Sequence, residues 1–362
     1  MNGRRTDPET GQTGRPRGSR KVTRRVARFW HDVPMQARAP TPPSISCVLP
    51  AYNEGHNLRK VVPHVVEALQ ALTQDFEILV VNDGSRDDTA TVARALCGQF
   101  PGLVLIDLSR NFGKEAALSA GIDAARGDVV ILMDADGQHP TAMLGEMLER
   151  WRQGSDVVYA VRRSRDDQSR LQARLVQCFY KLLNWGASID IPPNAGDFRL
   201  MDRKVVEALQ SLPERNRFMK GLYAWVGFTS TAIDYEPLQR LDGQSKFNLR
   251  GSFTLALTGI VAFSAAPLRA LAVGGCLIAL FAMLYGAFVV VEHFYFGIRV
   301  PGYATIVVAI MFFSGVQLLS IGILAEYIGR IYDEVKQRPR YLIQARLGQG
   351  LRDTDPRDTP AS

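Results

Sequence analysis

Val129-Val130-Ile131-Leu132-Met133-Asp134-Ala135-Asp136-Gly137-Gln138 joins a continuous apolar run to two carboxylates and an amide at alternate positions. A run of this kind reads as a strand buried on both faces, as in a parallel sheet covered by helices. Side chains at alternate positions of an extended segment point the same way, so Asp134, Asp136 and Gln138 can share one side. Three oxygen ligands there suit a hard divalent cation, Mg²⁺ or Mn²⁺, that keeps open positions for substrate phosphates. The competing reading is a solvated acidic turn. The end of a buried-type strand is where open α/β sheets bind ligands, and this context favours the cation.

Outward from this stretch the pattern repeats. Strands are expected at Ile45–Pro50, Phe76–Val81, Leu103–Leu108, Val129–Met133 and Asp156–Val161. Helical patterns lie between them, near Asn57–Leu72, Thr89–Cys97, Lys114–Ala125 and Ala142–Gln153. Such alternation predicts an α/β domain with a mostly parallel sheet covered on both faces. Each expected strand ends in polar chemistry: Tyr52-Asn53-Glu54, Asn82-Asp83-Gly84-Ser85, Ser109-Arg110-Asn111, Asp134-Ala135-Asp136 and Arg162-Arg163. Turns alone do not require carboxylates and arginines at nearly every strand end.

The two ends of the 362-residue chain differ from this middle. Residues 1–44 hold ten Lys/Arg and three Asp/Glu, which accounts for the whole formal charge of +7. The segment up to residue 43 reads as a disordered basic tail, either solubilising or adhering to anionic lipid. Nucleic acid is not the expected partner, because no aromatic stacking residues are interleaved with the arginines. No apolar core follows the basic start, so a signal peptide is not expected. Cys47, Cys97, Cys178 and Cys276 have no metal or redox spacing and suit a reducing compartment.

Toward the C-terminus, Ala270–Val291 and Val300–Ala325 contain 22 and 26 residues without a charged side chain. About 20 apolar residues suffice to cross a bilayer as a helix. Two spans within 269–329, followed by Arg330, Lys336, Arg338, Arg340 and Arg346, place the basic C-terminal segment in the cytoplasm. The α/β domain, residues 44–250, then lies on the same side. The uncharged Gly251–Leu268 reads as an interfacial helix, since a third span would separate the domain from the C-terminal segment. Residues near 170–185 form a second amphipathic candidate, with packing on the sheet as its alternative. Residues 330–362 are expected to be a cytoplasmic tail.

The motifs in order carry a family resemblance. Val48-Leu49-Pro50-Ala51-Tyr52-Asn53-Glu54, Val81-Asn82-Asp83-Gly84-Ser85 and Asp134-Ala135-Asp136 with Gln138 resemble glycosyltransferase family 2, which has the GT-A fold. Ser109–Ala117, Asn194–Asp202 and Gly243-Gln244-Ser245-Lys246 look like the polyprenyl-phosphate glycosyltransferases, and Glu326–Tyr332 resembles their bacterial two-span members. That group includes dolichyl-phosphate mannose synthases and bacterial undecaprenyl-phosphate glucosyl- and aminoarabinosyltransferases. The resemblance implies that Pro50, Tyr52, Glu54 and Asp83 hold the nucleotide. It implies that Asp134, Asp136 and Gln138 hold the cation, and that Arg162, Arg240 and Lys246 contact phosphates. Asp197 would sit near the reacting centre, completing a catalytic set with Asp134 and Asp136. Departures include Asn82, Gly137 and Ala160, where relatives commonly have Asp, Leu and Gly; the first bears on nucleotide contacts.

The implied reaction is inverting transfer of a sugar from a nucleotide sugar, UDP-glucose first, to a polyprenyl phosphate at the inner membrane. The acceptor is undecaprenyl phosphate in a bacterium. Negative charge growing on the departing diphosphate calls for a cation and basic side chains. The acceptor oxygen is already anionic, so no strong base is required and Asp197 has a positioning or electrostatic role first. Its alternative is a local pair with Arg199. Rival readings are a GDP-mannose-dependent mannose synthase and a non-catalytic membrane scaffold. A processive synthase would carry Gln-x-x-Arg-Trp, which the sequence lacks, and a sugar nucleotidyltransferase has no use for the membrane pair. Relatives also suggest self-association as a homo-oligomer.

Overall fold

The computed structural model describes residues 38, 41–162, 195–215, 217–236, 266–296 and 302–351. The first half alternates as β1 (Ile45–Ala51), α1 (Gly55–Gln70), β2 (Phe76–Asn82), α2 (Thr89–Gln99), β3 (Leu103–Leu108), α3 (Lys114–Ala124), β4 (Val129–Leu132), α4 (Met143–Arg152) and β5 (Val157–Arg162). The second half contains β6 (Ala195–Asp202), α5 (Arg203–Ser211), α6 (Met219–Trp225), β7 (Ser230–Tyr235), α7 (Ala266–Phe296), α8 (Tyr303–Val335) and β8 (Ile343–Leu347).

All seven residues of β1 are buried, which is why this strand lacks a polar face. Ile45, Cys47 and Leu49 join the apolar layer under α1, α2 and α4. Val48 points to the opposite layer, under α3, α5 and α6. Leu58, Val61, Val62, Val65 and Leu69 recur on α1 at helical spacing and are buried against the sheet. Burying each such side chain is worth about 1.5–3 kcal/mol. The result is a sheet with helices on both faces.

The sheet order is β7-β5-β6-β4-β1-β2-β3-β8. β1 pairs in parallel with β2 and β4, and β2 with β3. Among the described strands six of eight run the same way, so the sheet is mostly parallel as expected, with two strands reversed. β6 lies between β4 and β5, antiparallel to each, and β8 is antiparallel to β3. The sheet is mixed because β6 starts beside the end of β5, with Ala195 opposite Val161, and runs back along it, and because β8 returns along the edge of β3.

Residues 341–351, within the segment expected to be a tail, hold to the sheet edge. α8 continues to Val335, and β8 then pairs with β3. The Tyr341 hydroxyl donates to Asp123 Oδ2 at 2.9 Å. The Leu351 N–H donates to Oε2 of the buried Glu77 at 3.0 Å. Near the start of this segment, the Arg215 N–H donates to Glu334 Oε1 at 2.9 Å.

α7 and α8 have 31 and 33 residues and expose large apolar side chains such as Leu277, Phe281, Met311 and Leu318. Among the described residues, one segment, Ala309–Val335, is long and apolar enough to cross a membrane. The amphipathic candidate near 170–185 lies outside the described residues, as does nearly all of Gly251–Leu268.

Candidate active site

The strand ends β1, β2 and β4 and the start of α3 enclose a cleft of about 370 Å³. Pro50, Tyr52, Glu54, Asp83, Asp134 and Asp136 all line it. Six residues singled out in the sequence, from three segments, therefore share one cavity. Gln138 and Arg162 do not line it. The Gln138 N–H donates to Asp136 Oδ1 at 3.0 Å, and Arg162 ends β5 opposite Tyr235. Arg240 and Lys246 lie outside the described residues.

Local hydrogen bonds fix the cleft walls. Asn53 adopts a left-handed backbone (φ 56°), a conformation Asn tolerates better than most residues. Its Oδ1 accepts from the Arg86 N–H at 2.9 Å. Asp83 is buried, and its two oxygens accept from the Phe112 N–H at 2.7 Å and the Gly113 N–H at 2.9 Å. It thereby sets the loop that delivers Lys114. Asn82 donates to Asp107 Oδ1 at 2.7 Å and accepts from the Ser85 N–H at 3.2 Å. An aspartate at 82 could not donate to Asp107, which explains the amide at this position.

Lys114 is the centre of the arrangement. Its Nζ lies 2.6 Å from Asp134 Oδ1 and 2.8 Å from Asp197 Oδ2. Asp197 stands on β6, so antiparallel insertion of that strand brings its carboxylate to the end of β4. Burial opposes charge on Lys114, but Asp134 and Asp197 outweigh it and raise its pKa. Burial likewise opposes charge on Asp197, and Lys114 and Lys220 more than offset it, holding the carboxyl at about 2. Both groups are charged at neutral pH. Glu115, next along α3, is pushed up to about 7 by burial and by Asp197.

Two further residues brace the site. His139 Nδ1 accepts from the Asp134 N–H at 3.1 Å, and its ring stacks on Phe198 with centroids 4.5 Å apart. Burial lowers its pKa against the pull of Asp134 and Asp136. Arg199 is buried, lies over the Tyr223 ring and donates to the Gly196 carbonyl at 2.7 Å. The ion pair of Asp197 is thus with Lys114, while Arg199 braces the strand carrying Asp197.

Lys114, Glu115 and His139 had no role in the sequence reading. Lys114 carried one usable signal: a cation in the first turn of a helix opposes the helix dipole, an arrangement that calls for nearby anions. Among the described residues no group of three His, Cys, Asp or Glu side chains could hold a metal by itself. Two carboxylates facing one cleft nevertheless fit Mg²⁺, which is commonly bound by one or two carboxylates plus substrate phosphates.

Comparison with known proteins places this geometry. Glycosyl transferase family 2 matches residues 46–210. An uncharacterized glycosyltransferase of Synechocystis sp. is 46% identical over 299 residues, covering 83% of this chain and 94% of that protein. The chain belongs to glycosyl transferase family 2. As a family 2 member it is a glycosyltransferase, and its mixed α/β sheet agrees with the GT-A fold expected from the motifs.

A second family, the GtrB C-terminal hairpin, matches residues 266–331 of this glycosyltransferase. The SfII prophage-derived bactoprenol glucosyl transferase of Shigella flexneri is 44% identical over 300 residues, covering 83% of this chain and 97% of that protein. A prophage bactoprenol glucosyl transferase homolog of Escherichia coli K12 is 41% identical over 300 residues, covering 83% and 98%. A solved mannosyltransferase from Pyrobaculum calidifontis, in complex with GDP-Man and Mn²⁺, is 16% identical with a TM-score of 0.46, covering 88% of this chain and 93% of that one.

Proposed function

We propose that this glycosyltransferase moves glucose from UDP-glucose to the phosphate of a polyprenyl lipid, undecaprenyl phosphate in a bacterium, with inversion at the anomeric carbon. The observation that carries the reading is Lys114 held between Asp134 and Asp197 at the edge of the cleft. That cleft also gathers Pro50, Tyr52, Glu54 and Asp83. The similarity to bactoprenol glucosyl transferases supports glucose and the lipid acceptor.

Each residue then has a task. Pro50, Tyr52, Glu54 and Asp83 form the wall for the nucleoside. Asp134 and Asp136 would hold Mg²⁺ or Mn²⁺, with Gln138 nearby. When bound, the ion supplies positive charge against the departing diphosphate. Lys114 offers a second, permanent positive charge beside the cleft. Asp197, ionised well below neutral pH, is a weak base and suits positioning and electrostatic work. The anionic acceptor oxygen needs no proton removed, so a weak base suffices. This distinguishes the site from glycosidases, which use paired carboxylates to activate water.

The lipid acceptor explains the hairpin. Two spans within α7 and α8, with the catalytic domain and both termini in the cytoplasm, would hold the cleft near the inner-membrane surface. Contacts from Glu334, Tyr341 and β8 to the α/β domain support a common side for the end of α8 and the cleft. Arg240 and Lys246 remain candidate phosphate contacts.

The test is UDP release by purified protein with UDP-glucose and a polyprenyl phosphate. Release is expected only with both substrates, abolished by EDTA and by Asp136→Ala in a protein with unchanged melting temperature. Full activity in EDTA would remove the metal assignment. Turnover with GDP-mannose alone would favour the mannose synthase reading.

A further inference from the structure

A second cavity, of about 270 Å³, lies beside the first and shares Gly113 and Lys114 with it. Its remaining wall brings together Arg215 and Arg217, from the loop before α6, and Arg340, from the segment between α8 and β8. Arg340 lies more than 120 residues after the other two in sequence, so the return of the C-terminal segment to the sheet edge assembles the cluster.

The hydrogen bonding of this cluster is incomplete. Arg217 is buried; its Nη2 donates to the Leu209 and Leu212 carbonyls at 3.0 and 2.9 Å, and its Nε to the Glu214 carbonyl at 3.3 Å. Its Nη1 is buried without a hydrogen-bond partner, and so is Nη1 of Arg340. Arg215 Nη1 donates to the Arg338 carbonyl at 2.6 Å. Burial and the nearby Arg340 charge both push Arg217 below its ordinary pKa, against weaker pulls from Asp123 and Glu214. Two adjoining guanidinium groups with buried, unfilled donors form a costly arrangement alone. An anion with several acceptor oxygens would resolve it, and guanidinium forks match phosphate geometry.

We propose that Arg215, Arg217 and Arg340 form the pocket for the acceptor's phosphate monoester, across Lys114 from the donor cleft. The assignment rests on the lipid-phosphate transfer proposed above. It has the phosphate approach from the side of Lys114 away from Asp136, with the nucleotide in the other cavity. Arg340 lies five residues beyond α8, which puts the cluster at the end of the hairpin where a lipid head would arrive. Glu115 also lines the cavity, and its raised pKa leaves it partly neutral at neutral pH, which limits repulsion of a phosphate.

The experiment uses full-length protein in detergent and measures equilibrium binding of farnesyl phosphate, farnesol and inorganic phosphate, alongside KM for both substrates. Arg340→Gln should weaken farnesyl phosphate binding and raise the acceptor KM about tenfold, equivalent to about 1.4 kcal/mol. The donor KM should change less than twofold and farnesol binding should not change. Arg340→Lys, which keeps the charge and loses the fork, should fall between, and it serves if the glutamine variant fails to fold. Inorganic phosphate that loses affinity in the variant while farnesyl phosphate does not would assign the pocket to free phosphate and overturn the proposal. Unchanged binding of both would overturn it as well. Wild-type protein that binds farnesyl phosphate through Arg340 yet transfers no sugar would leave the pocket standing and remove the transfer reading.

Discussion

Lys114 links two carboxylates that reach it from different strands, and its removal or neutralisation of a partner should be felt in turnover. Asp197→Asn keeps size and most hydrogen bonding but takes away one of the charges facing Lys114. We expect kcat to fall roughly a hundredfold, the scale of losing one preorganised electrostatic group, with donor KM little altered. Equal turnover would return Asp197 to a purely structural role. Glu115 gives a second test with a defined sign. Its pKa is raised from 4.5 to about 7 on folding, so the folded protein binds that proton more tightly. Stability should therefore decline as pH rises from about 4.5 to about 7. Glu115→Gln retains an oxygen for the Met219 N–H, which Glu115 Oε2 accepts at 3.1 Å, and it cannot ionise. Its melting temperature should drop less than the wild type's between pH 5 and pH 8; parallel curves would contradict the assignment. Asp134 and Asp136 were legible in the sequence because their spacing follows an apolar run. Lys114 and His139 were not, because their meaning depends on β6 lying beside β4, a contact that no local pattern encodes.

At the scale of elements, legibility followed burial. β1 to β4 are mainly apolar runs buried on both faces, and their positions read directly from composition. β7 and β8 form the sheet edges and are largely exposed, so neither offers the clean alternation of a half-buried strand. β6 is central, yet its AGDFRLMD sequence places Asp197 and Arg199 where an interior strand would ordinarily be apolar. Site chemistry had overwritten the strand signal. β8 matters most for the architecture, because it ties the end of α8 to the sheet. Gly348 follows it with φ of +93°, and an added Cβ would strike the Leu103 carbonyl oxygen of β3. Gly348→Ala should lower stability by about 1–3 kcal/mol through strained backbone and loss of edge pairing. Thermal melting checks this, and an unchanged melting temperature would mean that β8 contributes little to holding the edge.

The whole molecule joins an α/β domain to a long helical hairpin, and the order of its parts makes a topological prediction. If both helices span, Tyr295 near the end of α7 faces outward and the segment after α8 faces the cytoplasm. Gly350 is a poor labelling position, because its φ is +59° and an added Cβ would meet Glu77. The exposed Gln349 is better. In a variant lacking the native cysteines, Tyr295→Cys should react from outside and Gln349→Cys only after permeabilisation. Labelling of position 349 from outside would break the proposed arrangement. The two long helices were readable from the lengths of the uncharged runs, whereas the return of residues 343–347 to the sheet was not, since a short polar edge strand resembles a tail. The most direct test of the central claim is to incubate membranes containing the protein with radiolabelled UDP-glucose and polyprenyl phosphate, then extract and identify the labelled lipid. The account predicts a single glucosyl polyprenyl phosphate of inverted anomeric configuration, absent with Asp136→Ala. Label recovered in polymer or free glucose, with none in such a lipid, would contradict it.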